Sequence, residues 1–456
     1  MEITTDTTMD SNNSPGYQPD SPDYYPETPD YHPDSPNYQP NSPDYQPDSP
    51  SFDLPSRFDN ISITDLQEIE TNLNQIANEI IESSSLDVLS PAVVKIKKFS
   101  VGSKINVILN CNSKLFPKLI DLLNNSDDYP SFQFEIIWIL LNVFAGTLEQ
   151  AEYLVQLNVL PILKRILERT TDENLLIQIL WCISNVAAEK SLCKLLFDVG
   201  IFHSLLPLLQ NMTNSSKELL EQLSGVLCNL IVRGSPGNAL SQLALPFLHR
   251  FIYCSHNGVV KNGCSGLIGV FKEDNSSDQQ IQTYLNDCNP GPRLLALLAT
   301  SKDPKVVRKS LEAIGSILVR RQQQVQYLLD CTFDHNGSAF GLLDGIRCCL
   351  KLPSKDIRKV ATWALSNLAV DNTQLLIDSK MMDIVIDHLL LDPAVNVRVE
   401  AMWTICNALI SKQNSFYFSH KMAHIKTTLT NELSKNEIQK PEHLDLIKFI
   451  VNHTYK

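Results

Sequence analysis

No Cys-x-x-Cys pair occurs among the 11 cysteines, and only Cys348 and Cys349 lie close together. That absence argues against a zinc site or a redox pair. Scattered thiols in apolar contexts read as reduced and buried, as in a cytosolic or nuclear protein. No apolar run approaches the about 20 residues of a membrane span. The N-terminus is acidic and polar, so it lacks the blocks of a secretory leader. A basic surplus is missing as well. The net charge is −13, and residues 1–53 hold nine Asp and two Glu with no Lys or Arg. That segment therefore carries −11 and leaves 54–456 near neutrality at −2. No footprint for nucleic acid follows from such a balance. Catalytic patterns are lacking too. The ten His and the Cys show no metal-ligand spacing, and VGSKINV (101–107) lacks the upstream Gly of a phosphate loop. The expectation is a chain that is not an enzyme, has no cofactor or metal, and contacts neither nucleic acid nor membrane.

What is present begins with a repeat. Residues 17–51 divide without gaps into YQPDSPD, YYPETPD, YHPDSPN, YQPNSPD and YQPDSPS. Two prolines per seven residues forbid helix, and no aliphatic side chain is there to build a core, so residues 1–55 are expected to be a disordered, acidic tail. The heptads resemble the tail of the largest RNA polymerase II subunit, with Tyr, both Pro and the second Ser retained. Ser21, Thr28, Ser35, Ser42 and Ser49 each precede Pro and are candidate phosphorylation sites. A platform for readers of Ser-Pro heptads and a merely solubilising tail both account for this stretch.

From about residue 60 aliphatic residues recur at helical spacing, as in ITDLQEIETNLNQIANEII and LLIQILWCISNVA. Strand-like alternation is scarce. The chain has only four tryptophans, and each precedes an Asn by four residues: Trp138 and Asn142, Trp181 and Asn185, Trp363 and Asn367, Trp403 and Asn407. Asn142, Asn185 and Asn229 follow one another at 43 and 44 residues, and Asn367 and Asn407 at 40. A period of about 40–47 residues marks armadillo or HEAT arrays. Each unit parses into a helix such as LEQAEYLVQL, a turn at Asn158, a short helix LPILKRILE and a long helix LLIQILWCISNVAAE. Three helices per unit favour armadillo. The expected fold is all-α, a right-handed superhelical solenoid of about eight to nine armadillo repeats over 56–456.

Residues four apart share one helix face. Stacked third helices would then present parallel ladders of indoles and carboxamides. An Asn amide can engage both N–H and C=O of an extended peptide. Slots between indoles suit a Lys or Arg stem, by burial of its methylenes and cation–π attraction at its head. Glu189 and Glu400 stand where a carboxylate could select that charge. Core packing explains one Trp readily, but four of four in register with the repeat much less well.

These residues resemble importin-α, the armadillo adaptor that binds nuclear localisation signals. SFQFEIIWILLNVFAGTLEQ (131–150) is similar to that family's second repeat, and IRKVATWALSNLAV and VRVEAMWTICNAL to its seventh and eighth. The match covers roughly 115–410. It implies a major-like peptide site at Trp138, Asn142, Gly146, Trp181, Asn185, Glu189 and Asn229. It implies a minor-like site at Trp363, Asn367, Glu400, Trp403 and Asn407. It also implies nuclear import as the function, proteins with basic localisation signals as partners, and a working range over cytoplasm and nucleus.

Departures narrow both sites. Gly225 and Ser265 stand where the family has Trp, Ser316 stands for Asn, Glu312 for a basic residue, and Val360 for a Glu. Arg320 is expected near the minor groove. The family's basic N-terminal segment, which engages an importin-β-type carrier, has no counterpart here, and KIKK (95–98) is too short to replace it. The C-terminal part offers about one further helical unit, where the family has two more repeats. An armadillo scaffold in transcription or RNA processing, acting through the heptads, is the alternative reading. A third idea joins the two: the tail, with a reach of about 40 Å, competes with the groove for basic cargo.

Overall fold

The computed structural model describes residues 63–100, 105–234, 237–272, 275–410, 415–434 and 441–453, so the heptads and the expected tail lie outside the described residues. The described chain falls into two compact units, one ending at 234 and one starting at 237.

The first unit holds α1 (Ile63–Glu82), α2 (Leu86–Lys97), α3 (Ile105–Cys111), α4 (Leu115–Asn124), α5 (Pro130–Phe144), α6 (Leu148–Gln156), α7 (Val159–Arg169), α8 (Glu173–Ala188), α9 (Lys190–Val199), α10 (Ile201–Gln210) and α11 (Lys217–Gly234). The three-helix repeat is clearest in α6, α7 and α8. Thr147 caps α6 with a reciprocal box to Gln150, and Asp172 caps α8 by accepting from Leu175 N–H at 2.9 Å. Such caps satisfy main-chain donors that the first helical turn leaves unpaired. Between α6 and α7 the chain turns on Asn158, whose φ of 61° is left-handed. The same device recurs between α9 and α10 at Gly200, with φ of 87°. Asn and Gly accept this conformation at little cost.

The long helices α2, α5, α8 and α11 pack side against side in succession. Each also leans on the shorter helices behind it, which explains why α8 is apolar nearly all round: a helix covered on all sides buries all sides. Leu175 to Ser184 are all buried. Truncating such a residue, Leu180 for example, to Ala costs about 2–5 kcal/mol.

The second unit holds α12 (Gly237–Ile252), α13 (Asn257–Val270), α14 (Asp278–Cys288), α15 (Gly291–Thr300), α16 (Pro304–Leu318), α17 (Gln322–Asp330), the hairpin β1 (Thr332–His335) and β2 (Ser338–Gly341), α18 (Leu342–Leu350), α19 (Lys355–Leu368), α20 (Thr373–Asp378), α21 (Met381–Asp387), α22 (Val395–Ile410), α23 (Ser415–Ser434) and α24 (Pro441–Asn452). Here α13, α16, α19 and α22 form the stack of long helices. The left-handed turn residue returns as Asn289 (φ 49°) before α15 and as Lys380 (φ 62°) before α21.

Two features depart from the plain repeat. A single helix, α12, stands before α13 where the repeats on either side have two, α9 with α10 and α14 with α15. A β-hairpin replaces the turn between α17 and α18, pairing Thr332 with Gly341 and His335 with Ser338. Its tip is Asn336-Gly337, both with positive φ, and Asp334 Oδ1 accepts from Gly337 N–H at 2.9 Å. An Asn-Gly pair is the preferred tip of a two-residue hairpin. Among the described residues the fold is thus all-α except for this insertion. Among the described residues no single helix is long and apolar enough to cross a membrane.

Candidate functional site

The long helices are buried so completely that their open residues define a strip. On α5, from Phe132 onward, only Phe134, Glu135, Trp138 and Asn142 keep some exposure. Phe134, Trp138 and Asn142 lie four apart and so share one face. On α8, from Leu175 through its C-cap Glu189, the open residues are Asn185, Ala188 and Glu189. On α19, Trp363 is the one open residue between Ala361 and Ala369, and on α22 Trp403 is the one between Val397 and Leu409. Small residues such as Ala361, Ala401 and Ala408 are inside while these two large indoles reach the surface. That is the reverse of a core tryptophan.

Trp181 differs. It is only 8 % exposed, so α8 presents Asn185 and Glu189 but little indole. Glu189 sits at the junction of α8 and α9 and makes no side-chain capping bond. Asn229 is buried, and α11 has no open residue from Gln222 to Ile231, Gly225 included. Gly146 ends the α5 strip, where a Cβ would overlap the carboxamide oxygen of Gln150. The major-like set is therefore brought together in one unit, but its open part is Trp138, Asn142, Gly146, Asn185 and Glu189.

The asparagines have a structural task that spacing alone does not reveal. Asn142 Nδ2 donates to Ser100 Oγ at 3.0 Å. Asn229 Nδ2 donates to the carbonyl and the hydroxyl of Ser184, both at 3.1 Å. Asn407 Nδ2 donates to the Ser366 carbonyl at 2.9 Å. Each bond reaches one repeat back, to the preceding long helix for Asn229 and Asn407 and to the turn just after α2 for Asn142. Asn185 and Asn367 differ: their Nδ2 atoms are buried and have no hydrogen-bond partner among the described residues. A buried, unpaired donor costs about 1–3 kcal/mol and asks for an acceptor.

In the second unit, Glu400 is 5 % exposed, and its Oε2 has no hydrogen-bond partner among the described residues. Burial pushes its carboxyl up to about 7, with attraction from Lys359 opposing that rise. Trp363 and Trp403 lie on the same two helices, α19 and α22, as Asn367 and Glu400. The indole of Trp363 rests over α16 at Gly315, where a Cβ would overlap its ring carbons. Two indoles, one unspent amide and one under-solvated carboxyl thus come from adjacent helices.

The remaining sequence expectations sort as follows. Glu312 is buried and already paired, with Arg308 Nε at 2.8 Å and Lys309 Nζ at 2.9 Å. Arg320 does not face the minor-like strip. Its guanidinium is folded back onto the Phe271 carbonyl and Asp278, because the end of α16 sits beside the preceding repeat. Ser265, Ser316 and Val360 are half-buried on their long helices. Among the described residues no group of three His, Cys, Asp or Glu is placed to hold a metal ion. The cysteines form no disulfide among the described residues, and burial pushes Cys193, Cys264, Cys349 and Cys406 up to about 12.

Comparison with known proteins agrees with this architecture. The family model of the Armadillo/beta-catenin-like repeat matches residues 147–188, the α6–α8 repeat. Importin subunit alpha-1b of Oryza sativa subsp. japonica is 29% identical over 261 residues, covering 55% of this chain and 44% of that protein. Importin subunit alpha-8 of Arabidopsis thaliana is 26% identical over 304 residues, covering 65% of this chain and 63% of that protein. The match thus spans about half the length of these relatives. An engineered protein of known crystal structure shares the fold, with a TM-score of 0.63 at 15% identity over 83% of this chain and 98% of its own. The chain thus has an armadillo-repeat fold and, over about half their length, is similar to importin-α subunits.

Proposed function

We propose that the chain is an importin-α-like adaptor that binds Lys/Arg-rich nuclear localisation signal peptides in extended form, and so serves protein import between cytoplasm and nucleus. The observation that carries this reading is the α19–α22 cluster. Trp363 and Trp403 are open where small residues are buried, while Asn367 Nδ2 and Glu400 Oε2 are buried without hydrogen-bond partners among the described residues. An extended basic peptide would supply what each lacks. Its carbonyl accepts from Asn367, its ammonium or guanidinium pairs with Glu400, and its methylenes lie on the indoles. In the first unit, Asn185 and Glu189 on α8 offer the same amide and carboxylate.

The partners on this reading are proteins that carry such basic signals. The test is fluorescence anisotropy of the full chain with a labelled Lys/Arg-rich peptide. Binding should fall steeply with salt, as charge pairing at a surface groove requires. Trp403→Ala and Glu400→Gln should each weaken it about tenfold or more. Unchanged affinity in both, together with unchanged affinity in Asn185→Ala, would remove the ladder as the binding surface.

A further inference from the structure

The first rung of the ladder already carries a cation, and the cation belongs to the chain itself. Lys97, the last residue of α2, extends across to α5. Its Nζ lies 2.7 Å from Glu135 Oε2, 5.2 Å from the centre of the Trp138 ring and 5.9 Å from that of Phe134. Lys97 and Glu135 are both about three-quarters buried, so this is not a loose surface pair. Phe134, Glu135 and Trp138 are three of the four residues open on α5 from Phe132 onward, and Lys97 lies against all three. The fourth, Asn142, is engaged with Ser100, three residues beyond Lys97. The arrangement has the parts that a lysine of a bound peptide would need: an aromatic face, a second ring beside it and a carboxylate at the end.

We propose that Lys97 is a resident stand-in for a peptide lysine, closing the Trp138 rung to basic ligands and setting the end of the peptide register in the first unit. This rests on the proposed function. The peptide is read from Asn185 and Glu189 on α8, and a longer basic peptide reaches Trp138 only by displacing Lys97. Neighbouring packed helices lie about 8–10 Å apart and an extended chain rises about 3.3 Å per residue, so one rung corresponds to about three residues. Lys97 thus shortens the usable site by about one such step. The position at the C-terminal end of α2 favours the charge where it stands, since the helix dipole is negative there.

The experiment compares the full chain with Lys97→Met, which keeps an apolar stem and removes the charge, and with Lys97→Arg, which keeps the charge. Labelled Lys-rich peptides of about five and about nine residues are titrated by fluorescence anisotropy, and circular dichroism melts confirm that each variant folds. Lys97→Met should bind the longer peptide about tenfold more tightly, Lys97→Arg should behave as the unaltered chain, and the gain should vanish in Lys97→Met combined with Trp138→Ala. Without peptide, acrylamide should quench tryptophan emission more in Lys97→Met than in the unaltered chain. Equal or weaker binding of the longer peptide by a folded Lys97→Met overturns the inference alone. Failure of both the unaltered chain and Lys97→Met to bind either peptide overturns the proposed function, and this inference with it.

Discussion

Asn407 donates its side-chain amide to the main-chain carbonyl of Ser366, 2.9 Å away and one repeat earlier. Ser366 is among the last four residues of α19, whose carbonyls have no partner within their own helix. The Asn of one repeat thus finishes the helix of the repeat before it. Asn229 makes the same reach of one repeat in the first unit, donating to the Ser184 carbonyl one residue short of the last four of α8.

This relation separates two kinds of asparagine. Asn407→Ala should destabilise the chain by about 1–3 kcal/mol, because it strands a buried carbonyl. Asn367→Ala removes an amide nitrogen without an internal partner among the described residues. It should cost less stability than Asn407→Ala and weaken peptide binding more. Urea melts and peptide titration on the two variants measure the contrast, and equal stability losses would refute it.

Acidity should act through Glu400. Its carboxyl titrates at about 7 in the folded chain, above the ordinary 4.5. Between those values the folded state holds a proton that the unfolded state has released. The contribution to stability is therefore full below about 4.5 and is lost as pH rises through 7. A cationic ligand pulls the other way, since it favours the ionised carboxylate. Peptide affinity at the α19–α22 cluster should drop as pH falls from 8 to 6, and Glu400→Gln should flatten both profiles.

Gly315→Ala tests the seat of Trp363. The added methyl overlaps the indole carbons, so the ring must tilt or α16 and α19 must part. A loss of about 1–3 kcal/mol is expected, with a change in near-ultraviolet circular dichroism. A variant with unaltered melting and spectrum would show that the ring has room to move.

Lys380 holds the left-handed turn between α20 and α21 that Asn158, Gly200 and Asn289 hold elsewhere. A side chain other than Gly or Asn costs about 1–2 kcal/mol there, partly offset by the greater chain freedom that Gly loses on folding. Lys380→Gly should raise stability by about 0.5–1 kcal/mol, read as an upward shift in melting temperature.

Much of this fold is legible in the sequence because its signals are local. The turn at Asn158, the break at 170–172 and the span of α8 follow from periodicity and capping chemistry within a dozen residues. The hairpin at 332–341 was missed because one four-residue strand pair gives little alternation, although Asn336-Gly337 was its signal. The candidate residues were found by register, but their division was not. Whether an Asn braces a neighbour or awaits a ligand depends on a partner about 41–45 residues away, and so does the folding back of Arg320 onto Asp278. Lys97 lies in a four-residue basic run that composition dismisses. Its meaning comes from α5, some 40 residues further along.

The seat of Trp363 on Gly315 bears on how such an array can change over time. What one repeat displays is permitted by what its predecessor omits, so the heritable unit is a junction and not a repeat. Shuffling or duplicating single repeats would part an indole from the vacancy that admits it. Exchange of whole neighbouring pairs would keep them together.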